Sequence, residues 1–201
     1  MQTPSRYGVP LSPHTQLSFD LLISLPRSYN STLSVNNAEF ADFAVTGSLP
    51  ALNSGRLEII TANKPIVLTS PVTATQVLLS TSNAKISTDS IKAAAITAKT
   101  SNGPIVTGEL DGATVLLSTS NEAIESLLTP NYEGTVLLTT SNKGATLTGP
   151  DAKERNGLKR HLDKVVVTGP MTSADVYWGD RRGTGGATFH TSNADVHVHL
   201  L

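Results

Sequence analysis

Apolar and polar residues alternate in five closely similar segments of the chain. The segments read LEIITAN, VLLSTSN, ITAKTSN, VLLSTSN and VLLTTSN, and each ends on an asparagine. These asparagines follow one another at steps of 20, 19, 19 and 21 residues: Asn63, Asn83, Asn102, Asn121 and Asn142. A fixed period of this length is typical of stacked repeats, in which each repeat is one supersecondary unit.

Each segment predicts a β-strand with one apolar side. Side chains of a strand point alternately to its two faces, so the residues two, four and six positions before each asparagine share a side. The residues that lie six and four positions before the asparagine are aliphatic in nearly every repeat, and serines dominate the opposite side of the strand. We therefore place the apolar side inward. It includes an invariant threonine two residues before each asparagine: Thr61, Thr81, Thr100, Thr119 and Thr140.

A second, shorter strand is predicted after each asparagine. Isoleucine recurs three residues beyond it, at Ile66, Ile86, Ile105 and Ile124. Each repeat therefore predicts a strand, an asparagine-centred turn, a second strand and a return turn. Asparagine suits the first turn because it tolerates left-handed backbone and its side chain bonds nearby backbone groups.

The repeats predict an all-β fold, a parallel β-solenoid (β-helix) of about eight coils of roughly 20 residues each. One repeat cannot bury its apolar side alone, whereas stacked repeats bury a continuous column and pair their backbones. An antiparallel sandwich is the alternative, but a sandwich does not require the same residue at the same place in every repeat.

Weaker copies of the pattern predict further coils at both ends. Leu33, Val35, Asn37 and Phe40 indicate a divergent first coil with Asn37 in the asparagine position, followed by an inserted loop around SLPALNSG. Beyond Asn142, TSADV resembles TSNADV one period later. This predicts a coil from Val165, Val167, Val176 and Trp178, and a last coil that includes Thr191 and Asn193.

The domain organisation follows from these boundaries. We expect a tail or edge cover over residues 1–18 and one β-solenoid domain over residues 19–201. Phe19, Leu21, Ile23 and Leu25 alternate and predict the first strand of that domain. A charged insertion near residues 151–163, DAKERNGLKRHLD, is expected to form a solvated loop or short helix, or a contact patch for an acidic partner.

The VLLSTSN, SNG and TSNADV units and the opening FDLLISLP resemble the adhesin-type domains of unknown function, over most of residues 19–201. Repeats in those domains read as a hydrophobic strand, then T-S-N-G, then another strand, and the Ser/Thr-rich style is similar to fungal members. The resemblance implies a right-handed β-solenoid, adhesion or surface binding outside the cell, and no catalytic residues. This chain departs from the pattern because glycine follows asparagine only at Asn102-Gly103.

Composition narrows the classes of function. The net charge of −1 does not favour a nucleic-acid partner, and the absence of cysteine removes thiol chemistry and cysteine-based zinc sites. No apolar segment is long enough to span a membrane, and no signal peptide is visible near the N-terminus. The compartment therefore stays unknown, apart from the surface location that the resemblance implies.

Few residues are candidates for chemistry. His197 and His199 share the outward side of one strand near His190, and two histidines can bind a metal, but no third ligand is evident.

The glycine-rich segment GDRRGTGG, at 179–186, can cradle an anion through its backbone N–H groups or serve as a flexible connector. Stacked carboxylates would indicate a polysaccharide lyase, but the acidic residues do not share one coil position: Asp89, Glu109, Asp111, Glu122 and Glu125. The outward serines are also too interrupted for an ice-binding array.

We therefore predict a non-catalytic, adhesin-like binding or structural scaffold module, without cofactor or metal, whose partner is a glycan or a protein surface. A carbohydrate-active enzyme of the lyase or hydrolase kind is the alternative. The residues assigned a role form two structural ladders: Asn63, Asn83, Asn102, Asn121, Asn142 and Asn193, and Thr61, Thr81, Thr100, Thr119, Thr140 and Thr191. If coils stack in chain order, Asn193 lies near an end, so Asn193→Ala should destabilise less than Asn102→Ala.

Overall fold

The computed structural model of the chain describes residues 32–37, 43–45, 52–149, 154–155, 158–168, 171–178 and 181–201. All regular structure in these residues is β, and they contain no helix, which confirms the all-β prediction. The predicted tail, the predicted strand at 19–25 and Phe40 lie outside the described residues.

Seventeen strands are described. They are β1 (Leu33–Asn37), β2 (Phe43–Val45), β3 (Leu52–Thr61), β4 (Ile66–Leu68), β5 (Val72–Ser80), β6 (Ile86–Lys99), β7 (Ile105–Asp111), β8 (Thr114–Ser118), β9 (Ile124–Leu128), β10 (Gly134–Thr139), β11 (Ala145–Thr148), β12 (Glu154–Arg155), β13 (Leu158–Thr168), β14 (Met171–Trp178), β15 (Arg181–Arg182), β16 (Gly185–His190) and β17 (Val196–Leu200).

Successive repeats pair in parallel and in register, as the repeats predict. The first strands align so that Leu57 lies beside Val77, Val77 beside Ile96, and Ile96 beside Val115. The second strands align through the isoleucines that follow each asparagine turn, from Ile66 to Ile86, Ile105 and Ile124. Like residues therefore lie directly beside like residues along the stack.

The inward side of these strands forms one core. In β4, for example, Ile66 and Leu68 are buried while Val67 between them is not. The core is almost wholly aliphatic, with Phe189 its largest fully buried side chain. Small and branched side chains fit the narrow space between the two strand rows of each layer.

The C-terminal repeat is inserted within the stack, as the sixth of its seven layers, and does not close it. Strand β16 pairs in parallel with β8 on one side and with β10 on the other. Strand β17 lies in the same way between β9 and β11. We call β16, β17 and the turn between them the inserted coil. Stacking in chain order, expected from the sequence, is therefore wrong at this point.

Antiparallel strands at one end make the sheet mixed. Strand β14 pairs antiparallel with β10, and β13 pairs antiparallel with β14. The sheet curls into a half-barrel, and this mixed sheet is not the clear parallel right-handed solenoid that the sequence and the resemblance predict. The described residues hold seven turn-linked layers, not eight.

The predicted coil through Val165, Val167, Val176 and Trp178 is therefore wrong, because these residues belong to the β13–β14 hairpin. Period-two alternation reports which side of a strand is apolar, but it carries no information on strand direction. The prediction of a loop or short helix for the charged insertion is also wrong. Its described residues lie in β12 and in the first half of β13, which form a strand pair and not a loop or helix.

The first coil is present, but its predicted alignment is displaced by two residues in β1 and by three in β2. Asn37 lies beside Thr61 and not beside Asn63, and Phe43, not Phe40, lies beside Ile66. A displacement of a strand by two residues keeps its apolar side facing inward, so the pattern of apolar and polar residues alone does not reveal the displacement. The predicted loop around SLPALNSG is partly wrong too, because β3 already begins at Leu52.

The position of the inserted coil can be tested by cross-linking, because the chain has no cysteine. Ser118 lies beside His190, and His190 lies beside Thr139. Adjacent strands are about 4.8 Å apart, within reach of a disulfide, whereas strands two apart are about 9.6 Å apart and out of reach. We expect the pair Ser118→Cys and His190→Cys to form a disulfide on mild oxidation, and the pair Ser118→Cys and Thr139→Cys not to.

Non-reducing electrophoresis and peptide mass spectrometry would measure both cross-links. Efficient linkage of Ser118→Cys to Thr139→Cys would show that β8 and β10 are direct neighbours, as chain-order stacking requires, and would refute the insertion.

Candidate functional site

Six asparagine side chains form a continuous hydrogen-bonded ladder along one edge of the stack. In each step the Nδ2 group donates to the Oδ1 atom of the preceding layer, over 2.5–2.7 Å. The order of the ladder is Asn63, Asn83, Asn102, Asn121, Asn193 and Asn142. It follows the spatial order of the layers and not the chain order.

A buried threonine column lies beneath this asparagine ladder. Each threonine hydroxyl donates to the carbonyl of the residue that follows the asparagine in the preceding layer, as from Thr119 Oγ1 to Gly103 O over 3.0 Å. The same bond recurs at 2.8–3.2 Å in the other layers, and Thr61, in the first layer of the ladder, donates to Lys64 O of its own turn over 2.7 Å. All six threonines are buried: Thr61, Thr81, Thr100, Thr119, Thr191 and Thr140.

The threonine is needed because only a short hydroxyl can fill this position and also bond the turn. The turn carbonyls point along the stack, and the hydroxyl gives them a donor that the strand ladder does not provide. A valine of the same shape would leave the hydrogen bond unmade at a buried position, which costs about 1–3 kcal/mol.

Serines flank the asparagines on the outer side of the turns. The carbonyl of Ser101 accepts the backbone N–H groups of both Ser120 and Asn121 in the next layer, each over 3.1 Å. The same forked pairing joins the other layers of the ladder, so the turns are held in register by backbone as well as side chains. We call the exposed rows formed by the six asparagines and by Ser82, Ser101, Ser120, Ser192 and Ser141 the asparagine–serine edge.

The histidines lie on the inserted coil, and two of them bond threonines of the next layer. His190 Nδ1 lies 2.8 Å from Thr139 Oγ1, and His199 Nδ1 lies 2.9 Å from Thr148 Oγ1. A shallow groove of about 240 Å³ runs beside His197 and His199. In the conformation observed, no three His, Asp or Glu side chains of the described residues form a group that could hold a metal ion.

Three of the candidate carboxylates, Glu109, Asp111 and Glu125, lie apart from one another in the strand pairing. Asp111 forms an ion pair with Lys92, over 2.9 Å. Glu109 lies in register beside Ser90 on one side and Leu127 on the other, and Glu125 lies beside Val106 and His197. None of these three has another carboxylate as its neighbour on an adjacent strand, so the paired arrangement used for glycoside cleavage is not formed by them.

Two glycines of GDRRGTGG, Gly183 and Gly185, have a packing role. Gly183 and Gly185 pass so close to Glu133 that an added Cβ would lie 2.3 Å and 2.6 Å from its backbone atoms. Gly134 has a φ of +152°, and a Cβ there would lie 2.1 Å from the Gly185 carbonyl oxygen. These glycines let the chain enter the space between β8 and β10, where the N–H of Gly186 bonds the carbonyl of Ala113.

Tyr132 is a buried polar residue that sequence reasoning did not single out. It lies in the turn before β10, its hydroxyl donates to the carbonyl of Thr135 over 2.8 Å, and its ring packs near the entry of the inserted coil. Burial raises the pKa of its phenol far above the ordinary value, the Asp175 charge adds to this, and the Ala187 backbone opposes it. A lone tyrosine in a polar turn, TPNYEG, gives little sequence signal of burial.

No protein-family model, curated protein or solved structure matches this chain. In the described residues no helix is long and apolar enough to cross a membrane.

The ladder order removes the difference in stability that was expected between the Asn193→Ala and Asn102→Ala variants. Asn193 lies between Asn121 and Asn142 and makes two ladder bonds, as Asn102 does. Since the ladder asparagines are exposed, water replaces part of what is lost, and we expect each interior variant to lose about 1–2 kcal/mol, the sum of two modest hydrogen bonds. Asn142→Ala removes only one ladder bond.

We therefore expect Asn193→Ala and Asn102→Ala to lower the free energy of unfolding similarly, and Asn142→Ala to lower it by about half as much. Denaturant unfolding of the three variants measures the ranking. A smaller loss at Asn193 than at Asn142 would contradict the ladder order.

The raised pKa of the buried Tyr132 phenol leads us to expect that the free energy of unfolding falls at alkaline pH. Its folded pKa is above that of the unfolded chain, so this contribution is complete below pH 10 and declines as the pH rises and the unfolded phenol ionises. The slope reaches about 1.4 kcal/mol per pH unit. We expect Tyr132→Phe to be less stable at pH 7 by about 1 kcal/mol, but to lose less stability than wild type between pH 10 and 12.

Urea unfolding at several pH values would measure both effects. Parallel stability curves for wild type and Tyr132→Phe above pH 10 would show that the phenol titrates normally in the folded protein.

Proposed function

We propose that this chain is a non-catalytic, adhesin-like binding scaffold whose binding surface is the asparagine–serine edge. The observation that carries this proposal is the ladder of six exposed amides held at one spacing by bonds to both neighbouring layers. We further propose that the parallel layers follow a right-handed β-solenoid, which the in-register pairing of successive repeats supports.

The edge has the chemistry to bind a ligand rich in hydroxyl groups. An asparagine amide has two N–H donors and two acceptor sites, and the ladder uses one of each at an interior position. The remaining donor and acceptor face outward beside the serine hydroxyls, which donate or accept as required. Hydrogen bonds of this kind suit an uncharged glycan chain that runs along the stack.

Preorganisation favours binding at this edge. Backbone bonds of 2.9–3.1 Å fix the turns of each layer, and the ladder bonds hold the asparagine amides, so the amides have little freedom left to lose on binding. The forked pairing occurs in every layer of the ladder. A partner would therefore meet a row of equivalent sites, and weak individual bonds would add along its length.

The proposed edge can be tested on a glycan array together with lyase and hydrolase assays. Ser82→Lys, Ser101→Lys and Ser120→Lys together place three bulky side chains on the edge without removing a ladder bond. We expect this triple variant to lose glycan binding by at least about tenfold, roughly 1.4 kcal/mol. A matched control carries Gln76→Lys, Ala94→Lys and Ala113→Lys, which are exposed residues outside the asparagine–serine edge.

Equal losses in the two triple variants would indicate a charge effect and not a site. Turnover of a polysaccharide that disappears in Asp89→Asn or Glu109→Gln would overturn the non-catalytic proposal in favour of a carbohydrate-active enzyme.

A further inference from the structure

We propose that His197, His199 and Glu125 form a transition-metal site on the outer side of the sheet, independent of the asparagine–serine edge. Imidazole and carboxylate groups in this number suit Zn²⁺, Cu²⁺ or Ni²⁺, with water completing the coordination shell. The site depends on the inserted coil, which brings residues from distant parts of the chain together.

The two histidines share one side of β17. They are two positions apart, and the residues that alternate with them, Val196, Val198 and Leu200, are buried in the core. Because the buried residues fix the strand, both imidazoles must project from the outer side. A rigid strand therefore holds two nitrogen ligands in a set relation.

The third ligand comes from β9. Glu125 lies in register beside His197, although the two residues are 72 positions apart in the chain (197 minus 125). The carboxylate is exposed, and it lines the same groove as both imidazoles. Stacking in chain order would instead have placed β11 beside β9, so the sequence offered no third ligand.

His199 is oriented by its other ring nitrogen. Its Nδ1 atom lies 2.9 Å from Thr148 Oγ1, so Nε2 is the ring nitrogen left for a metal, and His199 lines the groove. When the hydroxyl accepts from Nδ1–H, the Nε2 lone pair is free for a metal. Metal-bound histidines commonly have such a partner, which sets the tautomer and the ring orientation.

The three side chains line the groove without meeting at one point, so binding requires rotation of side chains. His197 and Glu125 are exposed, and neither side chain makes a hydrogen bond or ion pair with the residues that the structure describes. Exposed side chains change rotamer in picoseconds to nanoseconds, and no buried contact has to break. The metal supplies the attraction that holds them together.

Calorimetric titration of the untagged protein with Zn²⁺ alone tests the site. We expect one equivalent to bind, with the affinity lowered at least about tenfold, roughly 1.4 kcal/mol, in His197→Ala and in His199→Ala. Glu125→Gln, which keeps the size of the side chain, should weaken binding by a similar factor. His190→Ala is the matched control, because His190 lies on the same inserted coil but outside the groove.

Electron paramagnetic resonance of the Cu²⁺-loaded protein adds a readout of ligand type, and nitrogen hyperfine structure is expected from wild type. Absence of saturable one-to-one binding would overturn the proposal, as would equal weakening in His190→Ala. Unchanged affinity in Glu125→Gln would refute the assigned third ligand. Circular dichroism of each variant shows whether it is folded.

Discussion

Hydrogen bonding between the turns of adjacent layers is the interaction on which the rest of this structure depends. Every threonine of the buried column except Thr61 donates to a turn carbonyl one layer away, and the carbonyls of Ser82, Ser101, Ser120 and Ser192 each accept two N–H groups from the following layer. These bonds run along the stack, at right angles to the chain. They require the same residue types at the same place in each layer, which explains why the TSN motif recurs while the surrounding strands vary.

The same regularity explains how a repeat can leave its chain order. The layer interface is made of threonine, asparagine and backbone groups that are equivalent in every repeat, so the inserted coil meets β8 and β10 with the bonds that they would make to each other. Asn193 accepts from Asn142 and donates to Asn121 as any interior asparagine does. Contacts outside this repeated interface must therefore decide which strands become neighbours. One such contact, specific to the inserted coil, is the close approach of Gly183 and Gly185 to Glu133.

The antiparallel hairpin has a different role at one end of the stack. An open edge of β10 would present unpaired N–H and C=O groups to other chains, and such edges promote association. Strand β14 pairs with β10 over its whole length, from Gly134 beside Val176 to Thr139 beside Met171. The hairpin therefore covers the edge of the first-strand row, and its antiparallel direction breaks the repeat there.

The sequence by itself determined which residues point inward, where the turns lie, and that asparagine and threonine occupy equivalent positions, because period-two alternation and a fixed repeat length are local properties of the chain. It also indicated two histidines on one side of a strand. Only the tertiary structure decided the order of the layers, the direction of β13 and β14, the register of the first coil and the neighbour of His197. Those features depend on which repeats lie next to each other in the stack. Because the repeats present nearly the same residues to their neighbours, the sequence carries little information that distinguishes one neighbouring repeat from another.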